Sequence, residues 1–209
     1  MKTVFDRLYD TYHQDLFQFI MYMVKDRTIA EDLIQEVYIK VLKSYYTFKG
    51  ESSEKTWLFS IARHVTYDYF RSQQRMKKRI SQFFDWSEKG EIIPDNKSLQ
   101  EEIAIQNDEI RRVYHYLDKC TKDQRSVLIL RYILSFSIQE TAEILNFSIS
   151  KVKTTQHRGL KNLRKYLLED EEKSGTEKEG KQRKRGKGKY LNIAAKAQIG
   201  RPPVEIPDI

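Results

Sequence analysis

The chain is poor in the residues that staple, break or span. A single cysteine, Cys120, stands among 209 residues, so no intramolecular disulfide framework is available and a reducing compartment is expected. Only four prolines occur, three of them in the last eight residues, which leaves long stretches free to be helical. The strongest apolar run, "LFQFIMYMV" from Leu16 to Val24, falls far short of the roughly 20 residues a spanning helix needs. The opening "MKTVFDRLYD" lacks the apolar core of a signal peptide. A soluble, cytoplasmic protein is expected. The four histidines, His13, His64, His115 and His157, are dispersed without metal-ligand spacing. No glycine loop suited to phosphate and no nucleophile beside a base is visible. Neither an enzyme nor a bound metal or cofactor is expected.

Positive charge, by contrast, is plentiful and unevenly placed. Lys and Arg total 38 against 30 Asp and Glu, a net +8, which favours a polyanionic partner. Lys151, Lys153, Arg158, Lys161, Arg164 and Lys165 fall in one stretch without an acid. Arg63, Arg71, Arg75, Lys77, Lys78 and Arg79 form a second cluster against the single acid Asp68. Two separated basic patches suggest one long polyanion gripped in two places. Solvated helix faces usually intersperse both signs instead.

The periodicity is helical almost throughout and no alternating strand is found, so the fold class is all-α. Two small helical domains joined by a flexible linker are expected, at residues 1–80 and 101–168, with the linker at 81–100 and a disordered charged tail at 169–209. Phe5, Tyr9, Tyr12, Leu16, Phe19, Ile20 and Met23 recur at three- and four-residue steps and predict one buried stripe. In the next segment Leu33, Ile34, Val37, Val41, Leu42 and Tyr45 form the apolar face. Asp32, Gln35, Glu36, Ile39, Lys40 and Lys43 lie opposite, an acidic and apolar stripe that hints at a protein partner.

"KGESSEK", Lys49 to Lys55, reads as a loop before a third helix with Leu58, Ile61, Ala62, Val65 and Tyr69 inward. Arg63, His64, Tyr67, Asp68 and Arg71 then face out. Rings beside cations suit single-stranded nucleic acid, because bases stack on the rings while cations hold phosphates. Trp57 and Phe70 are assigned mainly to core packing. From Ser81 to Leu99 periodicity is lost and Gly, Pro, Asn and Ser appear, the marks of a linker; Phe83, Phe84 and Trp86 within it are unusual.

Beyond the linker, Ile103, Ile110, Val113, Tyr114 and Leu117 predict one helix, and Thr121 is a candidate cap for another. Ser137 and Glu140 make a capping box, with Ile138, Ala142 and Leu145 inward. Asn146 tolerates left-handed backbone and ends that helix. A new one begins near Ile149, with Ile149, Val152, Leu160, Leu163 and Leu167 inward. This is the grammar of a helix-turn-helix, and it leaves Ser150, Lys151, Lys153, Thr154, His157 and Arg158 outward. In the major groove such lysines and arginines read guanine edges and hydroxyls adapt to several bases.

The segments "AEDLIQEVYIKVLKSYYTFKGESSEKTWLFSIARH" and "SIQETAEILNFSISKVKTTQHRGLKNLRKYL" together resemble a bacterial RNA polymerase sigma factor of the sigma-70 family, in the extracytoplasmic function (ECF) group and similar to its sigma-X branch. The likeness spans roughly Phe5 to Leu168. It implies that Asp32, Gln35, Glu36 and Ile39 meet a coiled coil of the polymerase β′ subunit, with β also contacted. It also implies that the loop residues Ser52, Ser53, Glu54 and Lys55, with Arg63, His64, Tyr67 and Arg71, capture and melt the minus-10 element. Extruding a base costs a few kcal/mol, which pocket contacts must offset. The helix-turn-helix residues then read the minus-35 element, Lys153, Thr154 and Arg158 at matching positions. Phe83, Phe84 and Trp86 fall where such linkers thread a polymerase channel. A membrane-anchored anti-sigma factor and a monomeric free state are implied as well.

Three features depart from that pattern. Gln156 stands where relatives usually carry an apolar residue, His64 lies where members vary, and the tail beyond Leu168 matches nothing in the family. The alternative reading is a one-component helix-turn-helix regulator with an N-terminal ligand-binding or dimerisation domain. It leaves the acidic stripe and the second basic helix without a task.

Overall fold

A computed structural model describes residues 3–83 and 115–174 of the chain. The described residues are helical and contain no strand. Two compact units divide at residues 99 and 100.

In the first unit α1 (Val4–Val24) starts on a capping box in which Thr3 and Asp6 bond each other's backbone. It stops at Lys25, whose φ of 60° turns the chain while its N–H reaches the Met21 carbonyl. Asp26 caps α2 (Arg27–Ser44) by accepting from Ile29 N at 2.9 Å. A 3-10 turn, Tyr45–Thr47, leads into a loop where Gly50 supplies the positive φ of 72°. Helix α3 (Glu54–Phe83) then begins, with the Ser53 hydroxyl accepting from Thr56 N at 3.0 Å. These caps satisfy donors that a helix start leaves open, each for about 1 kcal/mol.

The three helices pack on one another around Leu16, Phe19, Ile20, Met23, Ala30, Val37, Val41, Leu58, Phe59, Ala62 and Val65, all essentially inaccessible. Phe19 and Phe59 meet edge to face at 5.8 Å, the orientation their quadrupoles favour. The sequence stripe on α1 is shifted by this packing. Leu8 is buried, whereas Tyr9 is exposed and lies against His13 and Tyr38. Leu42 is also outside the core, at 53% exposure, since Tyr38 and Val41 already fill that turn.

The basic end of α3 from Arg71 onward is mostly solvent-exposed. The helix continues through Phe83, so Ser81–Phe83 are helical rather than linker. The Phe83 side chain, Phe84 and Trp86 lie outside the described residues, as do Ile103, Ile110, Val113 and Tyr114.

In the second unit Tyr116 and Leu117 are buried ahead of α4 (Lys122–Leu128), which opens on a capping box between Thr121 and Gln124. The chain then widens into a π-helical turn, Ile129–Ile133, closed by Leu134 N to the Ile129 carbonyl at 3.0 Å. Helix α5 (Ile138–Leu145) starts with Ser137 and Glu140 bonding reciprocally and ends at Asn146, φ 52°. There Phe147 N reaches back to the Ala142 carbonyl, a closure that left-handed backbone permits. Helix α6 (Ile149–Ser174) follows. Its buried members are Val152, Gly159, Leu163 and Leu167. Ile149, expected inward, is 48% exposed, because the first turn of α6 projects past the core that begins at Val152. No helix among the described residues is long and apolar enough to cross a membrane.

Candidate functional site

Three surfaces carry the residues singled out from the sequence. On α2 the four positions Asp32, Gln35, Glu36 and Ile39 are all exposed on the face opposite the core. Leu42 and Tyr46 extend the same edge, at 53% and 94% exposure beside 51% for Ile39. The 4-3-4 spacing of Gln35, Ile39, Leu42 and Tyr46 is the signal that identifies this strip, and Leu42, expected on the core face, stands on it. Lys40 reaches back to Glu36 at 3.2 Å, leaving the Asp32 side unneutralised by that cation. An apolar centre with a carboxylate margin suits a protein surface of basic and apolar character.

The second surface runs from the loop before α3 along that helix. Ser52 and Ser53 belong to the loop, but Glu54 and Lys55 do not: they form the first turn of α3. Both are committed to α1, Glu54 to Arg7 through two bonds of 2.8 and 2.6 Å and Lys55 to Asp15 at 3.5 Å. The Arg7 guanidinium holds the Glu54 carboxyl below its ordinary range. Behind the loop Trp57 packs against Phe48 and Tyr45, with ring centroids 5.0 and 6.1 Å away.

Further along α3, Arg63, His64 and Tyr67 come together. His64 Nδ1 lies 2.7 Å from the Ser60 carbonyl, and Arg63 Nη1 lies 3.3 Å from His64 Nε2. A carbonyl only accepts and a guanidinium only donates, so the proton sits on Nδ1 and Nε2 receives. The Arg63 guanidinium also covers the Tyr67 ring at 4.7 Å. Its Nε is buried with no hydrogen-bond partner among the described residues. Arg71, one turn beyond Tyr67, pairs with Asp68 at 2.8 Å. Ser53 and Arg63 stand about 15 Å apart along the axis at 1.5 Å per residue, so the structure brings together the helix trio but not the loop with it.

The third surface is the outer face of α6. Ser150, Lys151, Lys153, Thr154, His157 and Arg158 are all exposed, as the period predicts. Ser150, Thr154 and Arg158 edge an open cleft of about 510 Å³ whose far wall is Thr121, Asp123 and Gln124. Lys151 lines the same cleft, its Nζ 3.4 Å from the Phe147 ring centre and 3.6 Å from Asp123. Gln156, the polar member of the inner stripe, is half-buried between Arg131 and Tyr132. Burial pushes the Tyr132 hydroxyl up and the Arg131 guanidinium down in pKa. Two lysines and an arginine interleaved with hydroxyls, projecting from the start of a helix-turn-helix second helix, can contact phosphates and base edges at once.

The family model of Sigma-70 region 2 matches residues 8–76, and that of Sigma-70, region 4 matches residues 110–163. The chain is 59% identical to the ECF RNA polymerase sigma factor SigX of Bacillus subtilis over 80% of its own length and 85% of the relative's. It is 30% identical to the RNA polymerase sigma factor YlaC of the same organism, over 79% and 92% of the two chains. Among solved structures, the sigma factor RpoE of Bartonella quintana, in complex with the anti-sigma factor NepR, superposes with a TM-score of 0.59 at 25% identity, covering 78% of this chain and 96% of that one.

Proposed function

The chain belongs to the ECF sigma factors of RNA polymerase, subunits that direct core polymerase to promoters, and from that premise we propose how its own residues divide the task. Residues 1–83 and 101–174 act as two reading domains, 84–100 joins them, and 175–209 is a charged tail. Asp32, Gln35, Glu36 and Ile39, with Leu42 beside them, receive the β′ coiled coil. Ser52, Ser53, Arg63, His64, Tyr67 and Arg71 engage the minus-10 strand, while Glu54 and Lys55 brace that loop against α1. Ser150, Lys153, Thr154, His157 and Arg158 read the minus-35 element, and Lys151 contributes charge at its margin. The protein acts in the cytoplasm as a monomer when free. It initiates transcription rather than catalysing a reaction of its own. A membrane-anchored anti-sigma factor restrains it, a reading supported by the anti-sigma partner of RpoE.

One observation carries the minus-35 assignment: all six polar positions chosen from the sequence stand exposed on α6, with Val152, Leu163 and Leu167 buried on the other side. The test is run-off transcription of pooled genomic fragments by core polymerase with and without this protein. Transcripts that need both components and share two upstream elements are expected. Dimeric binding to a palindrome by the protein alone, with no such transcripts, would overturn the assignment.

A further inference from the structure

The inner stripe of α6 runs Val152, Gln156, Gly159, Leu163 and Leu167, and one of these residues is an amide. Both ends of that amide are used. Gln156 Oε1 accepts from Arg131 Nε at 3.3 Å, and Gln156 Nε2 donates to the Tyr132 hydroxyl at 2.9 Å. Because a guanidinium can only donate, the oxygen must face Arg131, which fixes the orientation of the side chain. Arg131 and Tyr132 are neighbours in the π-helical turn. Its wider turn reduces the angle between successive side chains, so adjacent residues can straddle one partner. Arg131 also donates through Nη1 to the Phe136 carbonyl, directly before the cap of α5. One amide and one guanidinium therefore tie the π turn, the start of α5 and the middle of α6 together.

We propose that Gln156 is a positioning residue for promoter reading: it fixes the roll of α6 about its own axis, and so the angle at which Lys153, Thr154, His157 and Arg158 meet the bases. Apolar packing at Val152 and Leu163 is non-directional and resists roll weakly. Two hydrogen bonds of opposite polarity, to partners on a separate element, resist it strongly. A roll of about 10° carries side-chain tips at roughly 6 Å from the axis through about 1 Å. That exceeds the roughly 0.5 Å window within which a hydrogen bond to a base edge is good. The inference deepens, and rests on, the reading of α6 as the minus-35 element's partner.

The experiment uses full-length protein in holoenzyme with core polymerase. Its probes are a promoter fragment recovered by run-off selection and the same fragment with its upstream element scrambled; the readout is the ratio of initiation on the two. Gln156→Leu keeps the volume and removes both bonds, and the ratio is expected to fall roughly tenfold, as when one base contact is lost. Gln156→Glu, which can accept from Arg131 and from the Tyr132 hydroxyl, should hold the ratio within about twofold, since its added charge weakens both fragments alike. Tyr132→Phe deletes one atom and should give part of the loss, with no further loss in the Gln156→Leu background. An unchanged ratio in Gln156→Leu, or in Tyr132→Phe should the first variant not fold, overturns the proposal. So does an equal loss in the Glu and Leu variants. If the wild-type protein itself ignores the scrambling, the reading of α6 falls and the inference with it. If the wild type discriminates and Arg158→Ala lowers the ratio while Gln156→Leu does not, the inference alone falls.

Discussion

Arg7 of α1 clasps Glu54 of α3 through both carboxylate oxygens, at 2.8 and 2.6 Å, across 47 residues of chain. The pair sits at the point where the loop from Phe48 to Ser53 enters α3, so it anchors one end of that loop to the three-helix core.

The Arg7 clasp has a pH signature. The Glu54 carboxyl is held below its ordinary value, first by the hydrogen bond from Arg7. The unfolded chain therefore binds the proton more readily, and stability rises with pH across that interval. The contribution is fully present above the ordinary value of 4.5 and is lost as pH falls through the lowered value. Thermal melts of wild type and Arg7→Ala should differ at pH 7 and converge in acid. Curves that keep a constant separation into acid would show that the Glu54 charge has no part in it, and coincident curves that the pair adds nothing.

His13 is likewise held below its ordinary pKa, in a higher pH range. It is stacked on Tyr9 at 4.4 Å and bonded to the Tyr38 hydroxyl at 3.0 Å, and burial pushes its pKa below 6.5. The neutral ring is favoured in the folded state, so its contribution is present above 6.5 and fades as pH falls below that value. His13→Phe should flatten the melting temperature between pH 7 and 5 relative to wild type. A wild-type melting temperature that does not fall in that range removes His13 as a source of acid sensitivity.

The α2 strip gives a separable binding prediction. Asp32→Arg and Leu42→Asp both alter exposed side chains, so folding stability should move by less than about 0.5 kcal/mol. Affinity for core polymerase should fall in both, measured by titration of labelled protein. Normal assembly of both variants would exclude this strip as the docking face.

On α6, Arg158→Ala should cost about 1–3 kcal/mol of discrimination at one minus-35 position. Lys153→Ala, if its ammonium meets a phosphate, should weaken all sequences alike and reduce the salt slope by about 1. Competition with base-substituted promoters at two salt concentrations separates the two outcomes.

Gly159→Ala sets helix propensity against packing. Alanine gains about 1 kcal/mol over glycine inside a helix. The added Cβ, however, would lie 3.1 and 3.3 Å from two atoms of Leu128, a buried residue with little room to give. Overpacking typically costs about 1–3 kcal/mol, so a net loss on the order of 1 kcal/mol is expected in denaturant titration. A gain in stability would show that Leu128 relaxes freely.

Periodicity placed the outward face of α6 correctly because that helix packs on one side only, and a 3.6-residue repeat then decides every position. It misplaced Leu42 and Ile149 for a shared reason: apolar character does not distinguish a core residue from one awaiting a partner or projecting beyond the core's end. Glu54 and Lys55 read as loop because they are polar, although Ser53, three residues before Thr56, offered a cap that starts the helix earlier. The π turn at Ile129–Ile133 carries no composition signal of its own. Without it the pairing of Arg131 and Tyr132 around Gln156 could not be foreseen, and the glutamine stood only as a departure from pattern.

The uncovered edge of Ile39, Leu42 and Tyr46 also gives the molecule a thermal asymmetry. Whatever partner covers it removes hydrocarbon from water, and such binding carries a negative heat-capacity change and loses strength on cooling. The DNA contacts proposed for Lys153 and Arg158 would draw instead on released counterions and answer to salt. On the proposed assignment, chilling is expected to weaken docking on the α2 edge more than DNA binding by α6, and raised salt to do the reverse.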